Sequence, residues 1–260
     1  MILHNFIVLS LLTYVKCSRH QLIVGGTRAK ITDFPHAMAL YVICNNRLTY
    51  RQSMYVCGAS VLSEWIALTA AHCIAGCIFT ESVYSVTAGT DTLRRGLHST
   101  IKALYYHKKY DDVGMANDIG LLRLRTKMPF SSVIKRVVIL PNPPYREEAQ
   151  VVGWGAIQDV PNIIIMTKYL FFIDQYVVRN HICDICLETI KEGAFCAESK
   201  TNTKYAASGD SGSALVLRGY IQIGIVSFKM LHLSNSLVVY TNTSSFSKWI
   251  KKHAEKLHCL

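Results

Sequence analysis

Three short stretches carry residue types that can do chemistry together, in a fixed order along the chain: WIALTAAHC around His72, NDIGLLRL around Asp118 and SGDSGSALV around Ser211. A serine hydroxyl is a poor nucleophile at neutral pH. It needs an imidazole to accept its proton and a buried carboxylate to orient that imidazole. Each stretch supplies one of the three groups. Glycines flanking the serine permit a tight turn in which the amides of Gly209 and Ser211 point at the oxygen that gains charge when a carbonyl is attacked. Singly, these signals are weak. A histidine beside a cysteine is ordinarily a core or metal-binding residue, an aspartate after an asparagine is ordinarily a turn, and Gly-Asp-Ser-Gly alone is a loop. A further cluster, His181, Cys183 and Cys186, looks like half of a zinc or redox site. No second half follows, so no metal is expected.

Residues this far apart need a framework to bring them together. The chain has 260 residues, half of them apolar, enough for one large domain or two closely packed halves. Short apolar or alternating runs recur at 34–43, 55–57, 65–70, 84–88, 101–106 and 119–124. They resume at 150–154, 168–173, 213–217, 220–228 and 237–241. That spacing predicts an all-β protein whose strands lose their edges by closing into two small barrels. The Pro-rich stretch around 141–144 is the expected connection between them. One long helix is expected at the C-terminus, capped by Ser244 or Ser245, with Phe246, Trp249, Ile250, His253 and Leu257 at helical spacing. It is expected to dock on the second half.

The first residues contain an apolar run at 6–15, too short to span a membrane but suited to a signal peptide, here placed at 1–18 with a short propeptide at 19–22. Secretion to an extracellular, oxidising compartment follows. Of nine cysteines, Cys17 leaves with the leader and an even eight remain, so disulfides are expected. Net charge falls from +11 to about +9 on loss of Lys16 and Arg19. The basic residues are scattered, which reads as a solvated surface. No nucleic-acid motif and no membrane span are present.

At these residues the chain resembles the chymotrypsin or trypsin family of serine proteases. The likeness runs from IVGG at Ile23 through CGAS at Cys57, GWG at Gly153 and VSF at Ser227 to VYTNTSSFSKWI near the end. It implies two packed six-stranded β-barrels with a C-terminal α-helix, the first barrel at about 23–137 and the second at about 138–260. It further implies a secreted serine endopeptidase, a monomer made as a proenzyme and needing no cofactor, whose partners are a protein or peptide substrate, an activating protease and a serpin-type inhibitor. By the resemblance, His72, Asp118 and Ser211 are the catalytic triad and the Gly209 and Ser211 amides the oxyanion hole. Cleavage before Ile23 frees an amino group that pairs with Asp210. Ser227 bonds Asp118 and lines the pocket with Ala206 and Ser208. Cys57 is expected to bridge Cys73, and Cys183 to bridge Cys196. Cys44 with Cys77 is a further expected bridge, while Cys186 and Cys259 either pair or stay free. Asn242 begins a glycosylation sequon but falls at the end of a core strand.

The chain also departs from the family. Tyr205 stands where trypsin-like relatives carry the acid that binds Lys or Arg, so tryptic specificity is not expected. Lys229, after Phe228, and Val238 replace glycines of the pocket wall. They imply either restriction to small side chains or a closed pocket. Leu22 rather than Arg or Lys precedes Ile23, which points to a leucine-preferring or chymotrypsin-like activator. The competing reading is a catalytically weak homologue acting as a cationic binding or regulatory protein.

Overall fold

The computed structural model describes residues 23–45, 52–77, 81–160, 163–179, 181–188, 193–201, 203–229 and 236–260. The expected signal peptide and propeptide lie outside these residues, as does the stretch 230–235. In chain order the elements are β1 (Thr27–Arg28), β2 (Ala37–Asn45), β3 (Gln52–Val61), β4 (Ile66–Thr69), helix α1 (Ala71–Ala75), β5 (Glu81–Ala88), β6 (Leu97–Tyr106) and β7 (Gly120–Leu124). Then follow β8 (Ala149–Gly153), β9 (Ala156–Val160), β10 (Ile163–Met166), β11 (Phe171–Val178), α2 (His181–Glu188), β12 (Ala194–Glu198), β13 (Ala214–Leu217), β14 (Ile221–Lys229), β15 (Val238–Asn242) and α3 (Ser247–His258).

Two closed antiparallel barrels result. The first runs β2-β3-β4-β7-β6-β5, and the second β11-β12-β15-β14-β13-β8, closed by a β11–β8 pairing. Both faces of β2 are buried, which explains its near-continuous apolar sequence. Met38, Leu40 and Val42 point into the first barrel. Ala37, Ala39 and Tyr41 face the layer between the barrels, against Val152 and Trp154 of the second half. The alternation of a strand thus fills two cores at once.

Three expectations need correction. The stretch from Ile23 does not open the first barrel, because β1 pairs with β11 and Ile23 lies in the core of the second. The terminal helix does not dock on the second half. Phe246, Ile250 and Leu257 join the first barrel's core, and His253 stacks on Tyr105 of β6 at 4.3 Å. Nor does a serine cap that helix. Phe246 occupies the N-cap without a side-chain bond, because the Ser244 hydroxyl is bonded to the Asn242 side-chain Oδ1 at 2.8 Å and to the Tyr145 hydroxyl at 2.7 Å. Asn242 Oδ1 also accepts from the Tyr145 hydroxyl, so the side chain of this sequon asparagine is bound into the fold. Disulfides join Cys44 to Cys77, Cys57 to Cys73, and Cys183 to Cys196, while Cys259 is an exposed free thiol.

His36 enters β2 with 1% exposure, and burial lowers its pKa to about 4. Unfolding restores an ordinary imidazole, which binds a proton below about pH 6.5 while the native ring stays neutral. Stability is therefore expected to be complete above pH 6.5 and to fall as pH drops toward 4, by roughly 3 kcal/mol from this group. Urea unfolding between pH 7 and 4 checks this, with His36→Phe flattening the slope. An equal slope in the variant would assign the loss to other groups.

Candidate active site

The register of the first barrel brings the first two candidate residues together. Thr69, the last residue of β4, pairs with Gly120, the first of β7. The chain beyond Thr69 turns into α1, where His72 lies, and the chain before Gly120 carries Asp118. A side chain at Gly120 would meet Ile74 Cδ1 at 2.3 Å, so only glycine allows α1 to pack this closely. His72 Nδ1 lies 2.8 Å from Asp118 Oδ2, and the His72 amide donates to Asp118 Oδ1 at 2.9 Å.

Asp118 has no solvent exposure. A buried carboxylate is tolerated only when its lone pairs are met, and the second barrel completes the set. The Ser227 hydroxyl donates to Oδ2 at 2.5 Å, and Thr241 Oγ1 donates to the Asp118 main-chain carbonyl at 2.8 Å. This arrangement favours the tautomer in which His72 Nδ1 carries the proton and Nε2 is free to accept one. The side chain of His72 is 23% exposed, so that edge opens toward solvent.

Ser211 sits between Gly209 and Gly212, whose φ values of +95° and +82° suit glycine alone. Its carbonyl accepts the Gly58 amide at 2.7 Å, pinning the loop to the first barrel. The Cys57–Cys73 bridge lies between the groups, with Cys73 Sγ 3.6 Å from both His72 Nε2 and the Ser211 carbonyl oxygen. Cys57, His72 and Cys73 form a tight cluster, but with its sulfurs joined it offers no thiolate to a metal. The Cys183–Cys196 bond likewise occupies a sulfur of the possible half-site noted above. Among the described residues, no hydrogen bond joins the Ser211 hydroxyl to His72; such bonds are often long in free enzymes and tighten around substrate. Nor does any described carbonyl take the amides of Gly209 or Ser211.

Asp210 is a second fully buried carboxylate. Its Oδ1 accepts the Gly155 amide and its Oδ2 the Ala207 amide, each at 2.9 Å. Cβ atoms built on Gly153 and Gly155 would meet that carboxylate at 2.1 and 2.4 Å. The glycines of GWG are therefore its cradle, a role invisible from sequence spacing. Ile23, fully buried, packs in the same core as Ala206 and Ala207, and the Tyr205 amide donates to the Val24 carbonyl at 3.1 Å.

Beside Ser211 lies a cavity of about 220 Å³. Ala206, Ser208, Ser227, Phe228, Lys229 and Val238, the expected substrate-binding set, all line it. Tyr205 does not. Its ring is buried, with the Lys229 ammonium 3.5 Å from its centre. Sequence reasoning missed two further neighbours: Thr241, which has no motif, and Met166, whose methyl lies 2.6 Å from where a Cβ on Gly209 would be.

Two closed barrels with a buried aspartate orienting a histidine between them, and a glycine-flanked serine docked alongside, define the class. The chain belongs to the trypsin family of serine proteases, whose model matches residues 23–250. Hypodermin-B of Hypoderma lineatum is 30% identical over 239 residues, covering 90% of this chain and 88% of that one. Trypsin delta of Drosophila erecta is 29% identical over 239 residues, covering 89% and 88%. Among solved structures, HL collagenase matches with a TM-score of 0.74 at 23% identity, covering 89% of this chain and 98% of that one. The scabies mite inactivated protease paralogue S-D1 matches with 0.74 at 22%, covering 90% and 98%. Both support the fold.

The glycine cradle yields a stability prediction. Gly155→Ala forces a methyl against the Asp210 carboxylate and should cost about 1–3 kcal/mol by overpacking. Thermal unfolding reads this as a lowered Tm; an unchanged midpoint would show that the loop yields without strain.

Proposed function

We propose that this chain is a secreted serine endopeptidase, made as a proenzyme, that hydrolyses peptide bonds through an acyl-enzyme with non-tryptic, restricted specificity. The observation that carries the reading is the buried Asp118 at 2.8 Å from His72 Nδ1, with the Ser211 loop held against the same barrel edge.

In this mechanism the Ser211 oxygen attacks the substrate carbonyl carbon as His72 Nε2 takes the hydroxyl proton. Asp118 stabilises the imidazolium through Nδ1–H, and the carbonyl oxygen gains charge facing the Gly209 and Ser211 amides. Collapse breaks the C–N bond, and the leaving amine takes the proton from His72. Water then attacks the ester by the same route and regenerates Ser211. Tyr205, buried beneath Lys229, supports a non-tryptic pocket, since no carboxylate takes its place. Cleavage after Leu22 by a leucine-preferring protease frees the Ile23 amine for Asp210 and completes the oxyanion loop. An inhibitor that presents a bait peptide, such as a serpin, would enter the same cleft.

The protein cleaved before Ile23 should be labelled by a fluorophosphonate, with Ser211→Ala unlabelled. The uncleaved form should be labelled at least 10-fold more slowly. N-terminal sequencing of the active, naturally processed protein should begin at Ile23. Absence of labelling in folded, correctly cleaved protein overturns the reading in favour of a binding protein.

A further inference from the structure

We infer that the outer face of α3, together with the turn that follows β6, binds a sulfated glycosaminoglycan, with Lys108, Lys252 and Lys256 holding its sulfates and Lys109 at the margin. None of these residues lines the cavity beside Ser211, so the site does not depend on turnover. Cations far apart in sequence meet here. The turn at 107–110 is closed by the Tyr110 amide donating to the His107 carbonyl at 2.9 Å, and Asn117 Nδ2 donates to the Lys109 carbonyl at 2.9 Å. The His107 ring lies against the helix, 5.4 Å from that of Trp249 and 5.6 Å from that of Phe246. His253 in turn stacks on Tyr105 at 4.3 Å and meets Trp249 at 4.9 Å. At about 3.6 residues per turn, Lys252 and Lys256 stand one turn apart on the side of α3 next to Trp249 and His253. All four lysines are exposed. Burial first, then the charges of Lys252, Lys256 and Lys108, lower the pKa of His253, which places ammonium groups from two elements around one ring.

No carboxylate answers this charge. Among the described residues, none of the four lysines forms an ion pair. Glu255 lies on the far side of the lysine row from His253, where it lines a groove with Lys248 and Lys251. Asp111 and Asp112 sit by Tyr110, whose phenol is pushed up by burial and then by Asp118, Asp112 and Asp111. The helix dipole alone would explain Lys256, in the last turn, but not Lys108 brought to the same ring from the first barrel. Like charges one helical turn apart repel. A polyanion relieves that repulsion and gains by releasing its own counterions. The rings of the patch pack on one another, which leaves them unsuited to stacking bases and disfavours single-stranded nucleic acid. Phe246, Ile250 and Leu257 are spent in the first-barrel core, so α3 has no free apolar stripe to enter a bilayer. An anionic chain without bases or acyl tails fits what remains.

The test titrates the purified protein calorimetrically at about 0.15 M salt with a heparin oligosaccharide, the same oligosaccharide desulfated, a thymidine oligonucleotide and phosphatidylserine vesicles. Heparin is expected to bind most tightly, and about 10-fold or more above its desulfated form. The triple variant Lys108→Ser, Lys252→Ser, Lys256→Ser should lose about 10-fold or more in affinity, with the slope of log Kd against log salt shallower by about 2–3. A control of equal charge change at other exposed cations, Lys30→Ser, Lys135→Ser, Arg136→Ser, should lose less than about 3-fold. Replacing the three patch lysines by arginine should keep binding. A measurement on the unaltered protein stands beside these should a variant fail to fold: bound heparin should slow acetylation of Lys108, Lys252 and Lys256, read by mass spectrometry, while leaving Lys30 and Lys135 unchanged. Equal loss in patch and control variants, tighter binding of the oligonucleotide or the vesicles, uniform acetylation with and without heparin, or no binding of heparin overturns the inference.

Discussion

The structure turns on the burial of one carboxylate. Asp118 has no contact with solvent, and an ionised carboxylate in such a place costs several kcal/mol unless donors surround it. No single barrel provides enough of them. His72 gives its amide and its ring from the first barrel, and Ser227 comes from β14 of the second. Thr241 of β15 secures the backbone of the same residue. Satisfying Asp118 therefore requires the barrels to be docked in one relative position, the position that leaves the histidine edge facing the serine loop.

Asp210 repeats the logic with different means. Where Asp118 is met mostly by side chains, Asp210 is met by amides, and the chain around it is stripped of side chains so that those amides can approach. Gly153 and Gly155 serve this end from one segment, while Gly209 and Gly212, at positive φ, let the loop fold around it. The loop bearing Ser211 is held in shape by a charge it encloses. A cation brought to that charge by the N-terminal segment would act directly on the geometry of the amides beside the serine.

Much of this was legible in the sequence, and the gaps have physical causes. Strand runs revealed two β halves because period-2 alternation is local information. The stretch Ile163–Met166 was harder, since four consecutive apolar residues suggest burial, yet in the β9–β10 hairpin all four are exposed. Amphipathic spacing in α3 told that the helix buries a stripe but not which barrel receives it, because docking is decided by Tyr105 and the first-barrel core, far away in sequence. Ser244 looked like a cap until Tyr145 claimed its hydroxyl across 99 positions. The residue types of the site were plain. The glycine cradle was not, since a glycine's role is set by the atom that would collide with a side chain there.

An irregularity in the pairing of β14 with β15 links the buried carboxylate to the cavity wall. Pairing with β15 shifts between Val226 and Phe228, leaving Ser227 as the extra residue of a bulge. A bulge re-aims one side chain without dissolving the strand, and here it turns the Ser227 hydroxyl onto Asp118. Pairing then resumes, so that Lys229 stands opposite Val238 at the cavity wall. Ser227, which serves the carboxylate, and Lys229 both line the cavity, two positions apart on one strand, yet are anchored by different partners. Replacement of a wall residue leaves the bulge and its bond to Asp118 in place. That separation lets the wall of the cavity vary while the geometry around Asp118 is kept.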